Sequence, residues 1–284
     1  MDGDSLRAAR QMYPRPWTML KKRRMPHLYS PVVDGFSRSA GAVLYAEQQP
    51  PLDLADVVHV FWQLRTVVPL SSDFQYHAVP DACVNLLFNQ MDLAVAGITA
   101  LHTQATTLNL GTVFHYVGVQ LFPGVWRGNR KEIQDRYVGN AYEGALPLVH
   151  TNHQLAGLNF DAMAPVLADL VRWCVTHGQV RGDPLTAAIL SRLDAIRTVA
   201  DMAALAGLST RQLQRKLRET TGFSPHDLLK VLRLQQSFRR HYLDLYADQS
   251  HFTSAFRQAL GYTPGQYRKA FDVRFLQDDT EVGG

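Results

Sequence analysis

"STRQLQRKLRETTGFSPHDL" (Ser209–Leu228) and "DQSHFTSAFRQALGYTPGQY" (Asp248–Tyr267) are two copies of one design, 39 residues apart. Ser209 and Asp248 are both N-cap residue types, whose side-chain oxygen accepts an orphan amide at a helix start. Leu213 and Leu217 correspond to Phe252 and Phe256, each pair at i, i+4 and so on one helix face. Gly222 and Gly261 fall where a helix C-terminus favours a left-handed residue. An aromatic follows each, Phe223 or Tyr262. Ser224–Pro225 and Thr263–Pro264 then supply a cap and a first-turn proline for another helix.

Upstream of the first copy, "TVADMAALAGLS" (Thr198–Ser209) reads as a short helix with Val199, Met202 and Ala203 inward. Small residues there let a second helix approach, and Gly207 permits the tight turn before Ser209. Helix, glycine-containing turn and helix make the helix-turn-helix unit, whose second helix enters the DNA major groove. With Leu213 and Leu217 buried, Thr210, Arg211, Gln212, Gln214, Arg215, Lys216 and Arg218 face outward. Arg and Gln can contact guanine and adenine bidentately, and Lys and Arg neutralise phosphates. In the second copy Gln249, Ser250, His251, Ser254 and Arg257 take the outward places, with Ser254 where the first has Arg215. Asp248 and His251 thus read as a cap and a helix face, not as a catalytic cluster.

The net charge of +4 is unevenly spread over the 284 residues. Residues 1–24 carry +5, residues 25–184 carry −5, residues 185–275 carry +7 and the last nine carry −3. An acidic middle beside a basic C-terminal third implies a sensing or scaffold part joined to a polyanion-binding part. At 46% hydrophobic and 19% charged the chain is globular. No apolar run approaches the 18 residues of a membrane span. The N-terminal stretch is basic and broken by prolines, unlike a signal peptide. Cys83 and Cys174 sit in apolar company and read as buried thiols, so a cytoplasmic protein without disulfides is expected.

From Val43 to Asn140 the apolar residues form short strand-like runs, "VVHVFWQLRTVV", "CVNLLFN", "LAVAGI" and "FHYVGVQLF", separated by turn residues. From Pro165 onward the period becomes helical, with a break at "HGQVRGDP" (His177–Pro184). The expected fold class is α+β. A β-rich, barrel- or sandwich-like part precedes an all-α part with two helix-turn-helix units, the second shortened. The expected plan is a basic arm over 1–28, a β-rich sensing or dimerisation domain over 29–160, a helix and linker over 161–184, a DNA-binding domain over 185–275 and an acidic tail over 276–284. The arm reads as a solvated segment, with extra phosphate contact as its functional alternative.

Trp62, Phe88, Phe114, Tyr116, Phe122 and Trp126 are candidates for an apolar ligand pocket, although the same residues suit a core. His150 and His153 in "HTNH" read as polar loop residues rather than metal ligands, since no acid accompanies them. His77, His102 and His115 could meet inside a barrel as in a metal-dependent enzyme, but no tight spacing supports it. No nucleotide loop or nucleophile elbow is present, so neither an enzyme nor a cofactor is expected.

"LAGLSTRQLQRKLRETTGFSP", "LLKVLRLQQS" and "DQSHFTSAFRQALGYTPGQYR" resemble the DNA-binding domain of AraC/XylS-type regulators. "VFWQL", "VPDACVNLLF", "VAGITA" and "VGVQLFPG" are similar to an uncharacterised β-rich domain often fused to it. The resemblance implies an activator that binds double-stranded promoter DNA through both units, with RNA polymerase as a partner. It also implies a homodimer or a partner regulator, and a small-molecule effector. By motif position, Arg211, Gln214 and Arg215 match the base-contacting places of the first unit. Gln249, Ser250 and Ser254 match those of the second. The chain departs from the family between the units, where a turn and a bracing helix are missing. "SFRRHYLDLYA" places Tyr242 opposite Ala203 and Tyr246 opposite Gly207. The second unit is therefore expected to be compromised or rebuilt, either with the connecting helix running directly into it or with dimerisation supplying the support. A regulator with impaired DNA binding of its own, acting through a protein partner, is the alternative.

Overall fold

A computed structural model describes residues 42–100, 103–134, 139–238 and 245–271. The expected basic arm and acidic tail, together with His102 and Tyr242, lie outside the described residues. Among the described residues eight strands come first: β1 (Val43–Gln48), β2 (Val58–Thr66), β3 (Gln75–Ala78), β4 (Val84–Asn89), β5 (Ala96–Ala100), β6 (Thr106–Asn109), β7 (His115–Leu121) and β8 (Ile133–Gln134). Six of them form one sheet in the order β1-β2-β7-β4-β5-β8, while β3 and β6 pair separately. All pairs are antiparallel except β5 with β8.

Alternation along the strands assigns the large sheet two different faces. Phe61, Leu86, Phe88, Ile98, Val117 and Val119 point to one, in the main core. Leu64, Leu87 and Tyr116 point to the other, with Trp62 and Tyr45 packed beside them. A register shift between Val58 and Val60 puts Val58 on the same face as Phe61, three residues on. Such a bulge inserts a residue and re-aims the side chains beyond it. Trp62 lies opposite Gly118 on β7, and any Cβ at Gly118 would collide with the indole. Glycine is what lets the ring lie across the strand.

Helices cover the first face: α1 (Leu148–Leu155), α2 (Phe160–Thr176) and α3 (Pro184–Ser191). Asn152 of α1 is fully buried, and its Nδ2 donates to the carbonyls of Asn89, Leu93 and Val95 at 3.1, 3.0 and 3.1 Å. This plug pins α1 to the β4–β5 turn. Two expectations change here. Helix begins at Leu148 rather than near Pro165, because "LVHTNHQL" buries only Leu148, Thr151, Asn152 and Leu155 and so hides its period behind polar residues. His150 and His153 accordingly stand exposed on a helix, not in a loop.

Among the described residues the helices that follow include α4 (Val199–Ala206), α5 (Thr210–Thr221), α6 (Pro225–Ser237), α7 (Gln249–Leu260) and α8 (Pro264–Phe271). The α+β class read from the sequence is the fold observed. Met202, Ala203, Leu213, Leu217 and Leu228 belong to the same contiguous core as the sheet's first face and α2. Among the described residues no helix is long and apolar enough to cross a membrane. Cys83 and Cys174 are buried and free, and burial pushes both thiols up.

Candidate nucleic-acid interface

The first helix pair is built from its caps. Thr198 accepts the Asp201 amide and Asp201 answers at the Thr198 amide, a reciprocal box that opens α4. Gly207 closes it at φ 62° and turns the chain into Ser209. Ser209 caps α5 in the same reciprocal way with Gln212, whose Oε1 accepts from the Ser209 amide at 2.9 Å. Leu213 and Leu217 are fully buried and anchor the helix. Thr210, Arg211, Gln212, Gln214, Arg215, Lys216 and Arg218 are all exposed. Arg211 with Arg215, and Gln214 with Arg218, share faces at i, i+4. Gln212 differs from its neighbours, since its side chain is folded back onto the cap.

The C-terminus of α5 is held by the β-rich part. Arg130 donates from Nη2 to the Glu219 carbonyl at 2.8 Å, placing a cation where the helix dipole is negative. Gly222 follows at φ 83°, and a Cβ there would meet Arg130 Nη1 at 2.9 Å. Reading the sequence by helix pattern missed Arg130, because its role arises from a contact across 89 residues.

The second copy, α7 with α8, repeats the scheme of α5 with α6. Asp248 caps α7 by accepting the His251 amide at 2.7 Å, and Gly261 ends it at φ 78°. Thr263 and Gln266 then form the reciprocal cap of α8. Gln249, Ser250, His251, Ser254 and Arg257 are exposed, and all but His251 line one open concavity with Thr253 and Thr263. The buried side is Phe252, Phe256 and Leu260.

What braces that side differs from the expected connecting helix running directly into it. The connecting helix does not run into α7, for α6 ends at Ser237 with Phe238 as its cap. Instead Leu234 and Phe238 of α6, Tyr246, and Val79 and Ala105 of the β-rich part enclose the α7–α8 core. Phe256 meets Phe238 and Tyr267 at ring separations of 5.9 and 5.5 Å, and Tyr246 meets Phe252 at 5.2 Å. The Ala105 amide donates to the Ala259 carbonyl at 2.8 Å, and Gln235 Nε2 donates to the Pro80 carbonyl at 2.6 Å. His77 packs against Tyr262 and Tyr267 at 5.7 and 5.3 Å. Segments flanking the β3–β6 pair thus help to brace α7 and α8. Tyr246, the repeat's counterpart of Gly207, is part of this packing.

On the sheet's second face, under the β3–β6 pair, lie two adjoining cavities of about 150 and 140 Å³. Both are lined by Tyr45, Leu64, Tyr76, Val79, Asp81 and Gln120. Trp62 and Tyr116 of the candidate ligand residues line the first. Phe88, Phe122 and Trp126 lie in the main core instead, and Phe114 stacks between Phe74 and Tyr116. Tyr45 and Tyr76 escape a search by strong strand runs, since they sit at the rim of short strands. Asp81 accepts the Cys83 amide at 2.9 Å and Gln120 Nε2 at 2.5 Å, and burial pushes its carboxyl up to about 6. Next to it Ala82 has φ 60°, the one non-glycine residue with positive φ among those described. His115 in β7 is held down to about 4 by burial and by Arg65. Among the described residues no group of three His, Cys, Asp or Glu could hold a metal.

Residues 46–131 match the model of a domain of unknown function (DUF6597). No curated protein matches the chain. Among solved structures, ToxT from Vibrio cholerae is similar at 9% identity and a TM-score of 0.41, covering 80% of this chain and 97% of that one. A similarity at that level says nothing about function.

Proposed function

We propose that the chain is a sequence-specific DNA-binding transcription regulator that reads double-stranded promoter DNA mainly through α5. The observation that carries this reading is the capped, core-anchored helix α5, whose exposed side presents Arg211, Gln214, Arg215, Lys216 and Arg218. Arg211, Gln214 and Arg215 are the base-reading residues, while Lys216 and Arg218 contact phosphate. Thr210 adds a hydroxyl at the helix start, and Gln212 supports the cap. Through α7 the chain adds a weaker second contact with Gln249, Ser250, His251, Ser254 and Arg257. The β-rich part is the sensing domain and residues 185–275 the DNA-binding one. RNA polymerase is the partner at the promoter, and no catalytic step is involved.

The test is a footprint and gel shift of the full chain against genomic fragments, followed by Arg215→Ala on the selected site. Losing a bidentate base contact costs about 1–3 kcal/mol of discrimination, so specific affinity should fall roughly ten- to a hundredfold. Non-specific affinity at low salt should change far less. An unchanged footprint and affinity in the variant would sink the assignment of α5.

A further inference from the structure

We infer that the paired cavities beneath the β3–β6 strands form a binding site for a small organic cation, a primary ammonium on an aromatic or aliphatic body, with Asp81 as its counter-charge. This deepens the regulator reading by assigning its effector a chemical class. Among the described residues neither cavity is lined by Lys or Arg, whereas Asp81 lines both and Glu47 lines the second. The hydrogen-bond donors placed on Asp81, the Cys83 amide and Gln120 Nε2, are neutral. A half-buried carboxylate held by neutral donors is costly to keep, and a ligand cation would neutralise it.

The rest of the wall suits the same ligand. Tyr45, Trp62, Tyr76 and Tyr116 surround the space, and aromatic faces attract a cation through their quadrupole. Trp62 is held by the absence of a side chain at Gly118 and by its Nε1 donating to Asn85 Oδ1 at 3.2 Å. A void of about 150 Å³ is the size that admits a benzene-like body. The weakened acidity of Asp81 and the left-handed Ala82 beside it are costs to the fold of the kind that concentrate at binding sites.

The second cavity carries the consequence. Its wall includes Gln235, Phe238 and Tyr267, which belong to the brace of α7 and α8. Val79 is shared as well, for it lines both cavities and packs against the α7–α8 core, and its neighbour Pro80 accepts from Gln235. A cation seated at Asp81 therefore shares a cavity wall with the support of α7 and α8.

Calorimetry of the full chain at pH 7.5 with 2-phenylethylamine, its neutral isostere 2-phenylethanol and the anion phenylacetate decides the matter. The amine should bind at least tenfold more tightly than the alcohol, and phenylacetate should not bind. Asp81→Asn should cost the amine at least tenfold and leave the alcohol unaffected. Equal binding of amine and alcohol, preference for the acid, or binding of none of the three would overturn the assignment. The comparison on the unaltered chain stands even if the variant fails to fold. Footprinting with and without the amine separates the two readings: a chain that binds DNA but no amine retires the cation site alone, and one that binds the amine but no DNA retires the regulator alone.

Discussion

Asp81 is costly to the fold for a calculable reason. Its carboxyl is pushed from 3.8 up to about 6 by burial, with hydrogen bonds from Cys83 and Gln120 opposing. A carboxyl raised in the folded state contributes its full stability below pH 3.8 and loses it as pH rises through about 6. The difference amounts to about 3 kcal/mol by neutral pH. Asp81→Asn removes that titration while keeping the shape. Urea unfolding should therefore show the variant gaining stability over the unaltered chain between pH 4.5 and pH 7.5, by about 2 kcal/mol. A gap that stays constant across that range would contradict the burial of a charge there. The residue stands in "VPDACVNLLF", and nothing local marks it out. The cavity wall it shares includes Tyr76 of β3 and Leu108 of β6, whose short runs leave no strong pattern in the sequence.

At the scale of elements, the two helix pairs were legible almost to the residue. Ser209 and Asp248 are the caps, and Gly222 and Gly261 hold the left-handed termini. These are local devices, each satisfied within four residues, so sequence spacing suffices to find them. The support of the second pair was not legible, because it is supplied by Val79 and Ala105 from far upstream. That origin has a measurable effect. Val79→Asp places an uncompensated charge against the apolar side of α7, which costs stability locally. The footprint of the variant should shrink to the segment read by α5, with the α5 contact retained. Loss of the α5 contact as well, or a footprint of full length, would contradict the division of labour.

At the scale of the molecule, the sheet's first face, α2 and the first helix pair share one contiguous core. Arg130 ties the same parts at the α5 terminus, and the β3–β6 flank ties the second pair. Parts joined through a common core unfold together. Differential scanning calorimetry should accordingly give one cooperative transition, with calorimetric and van't Hoff enthalpies equal. Two separable transitions would mean that the β-rich and helical parts are independent modules.

The sequence by itself determined what depends on near neighbours: the strands β2, β4, β5 and β7, the helix caps, the repeat, and the outward basic side of α5. Alternation, helical period and cap chemistry all act within a few residues, so they survive in one dimension. The tertiary structure alone decided which sheet face encloses a cavity, that Asp81 lines it on neutral donors, and that the β3–β6 flank braces α7 and α8. Those facts rest on contacts between residues far apart in the chain, such as Gln235 with Pro80 and Ala259 with Ala105. Burial and charge pairing are properties of such contacts, and no local pattern encodes them.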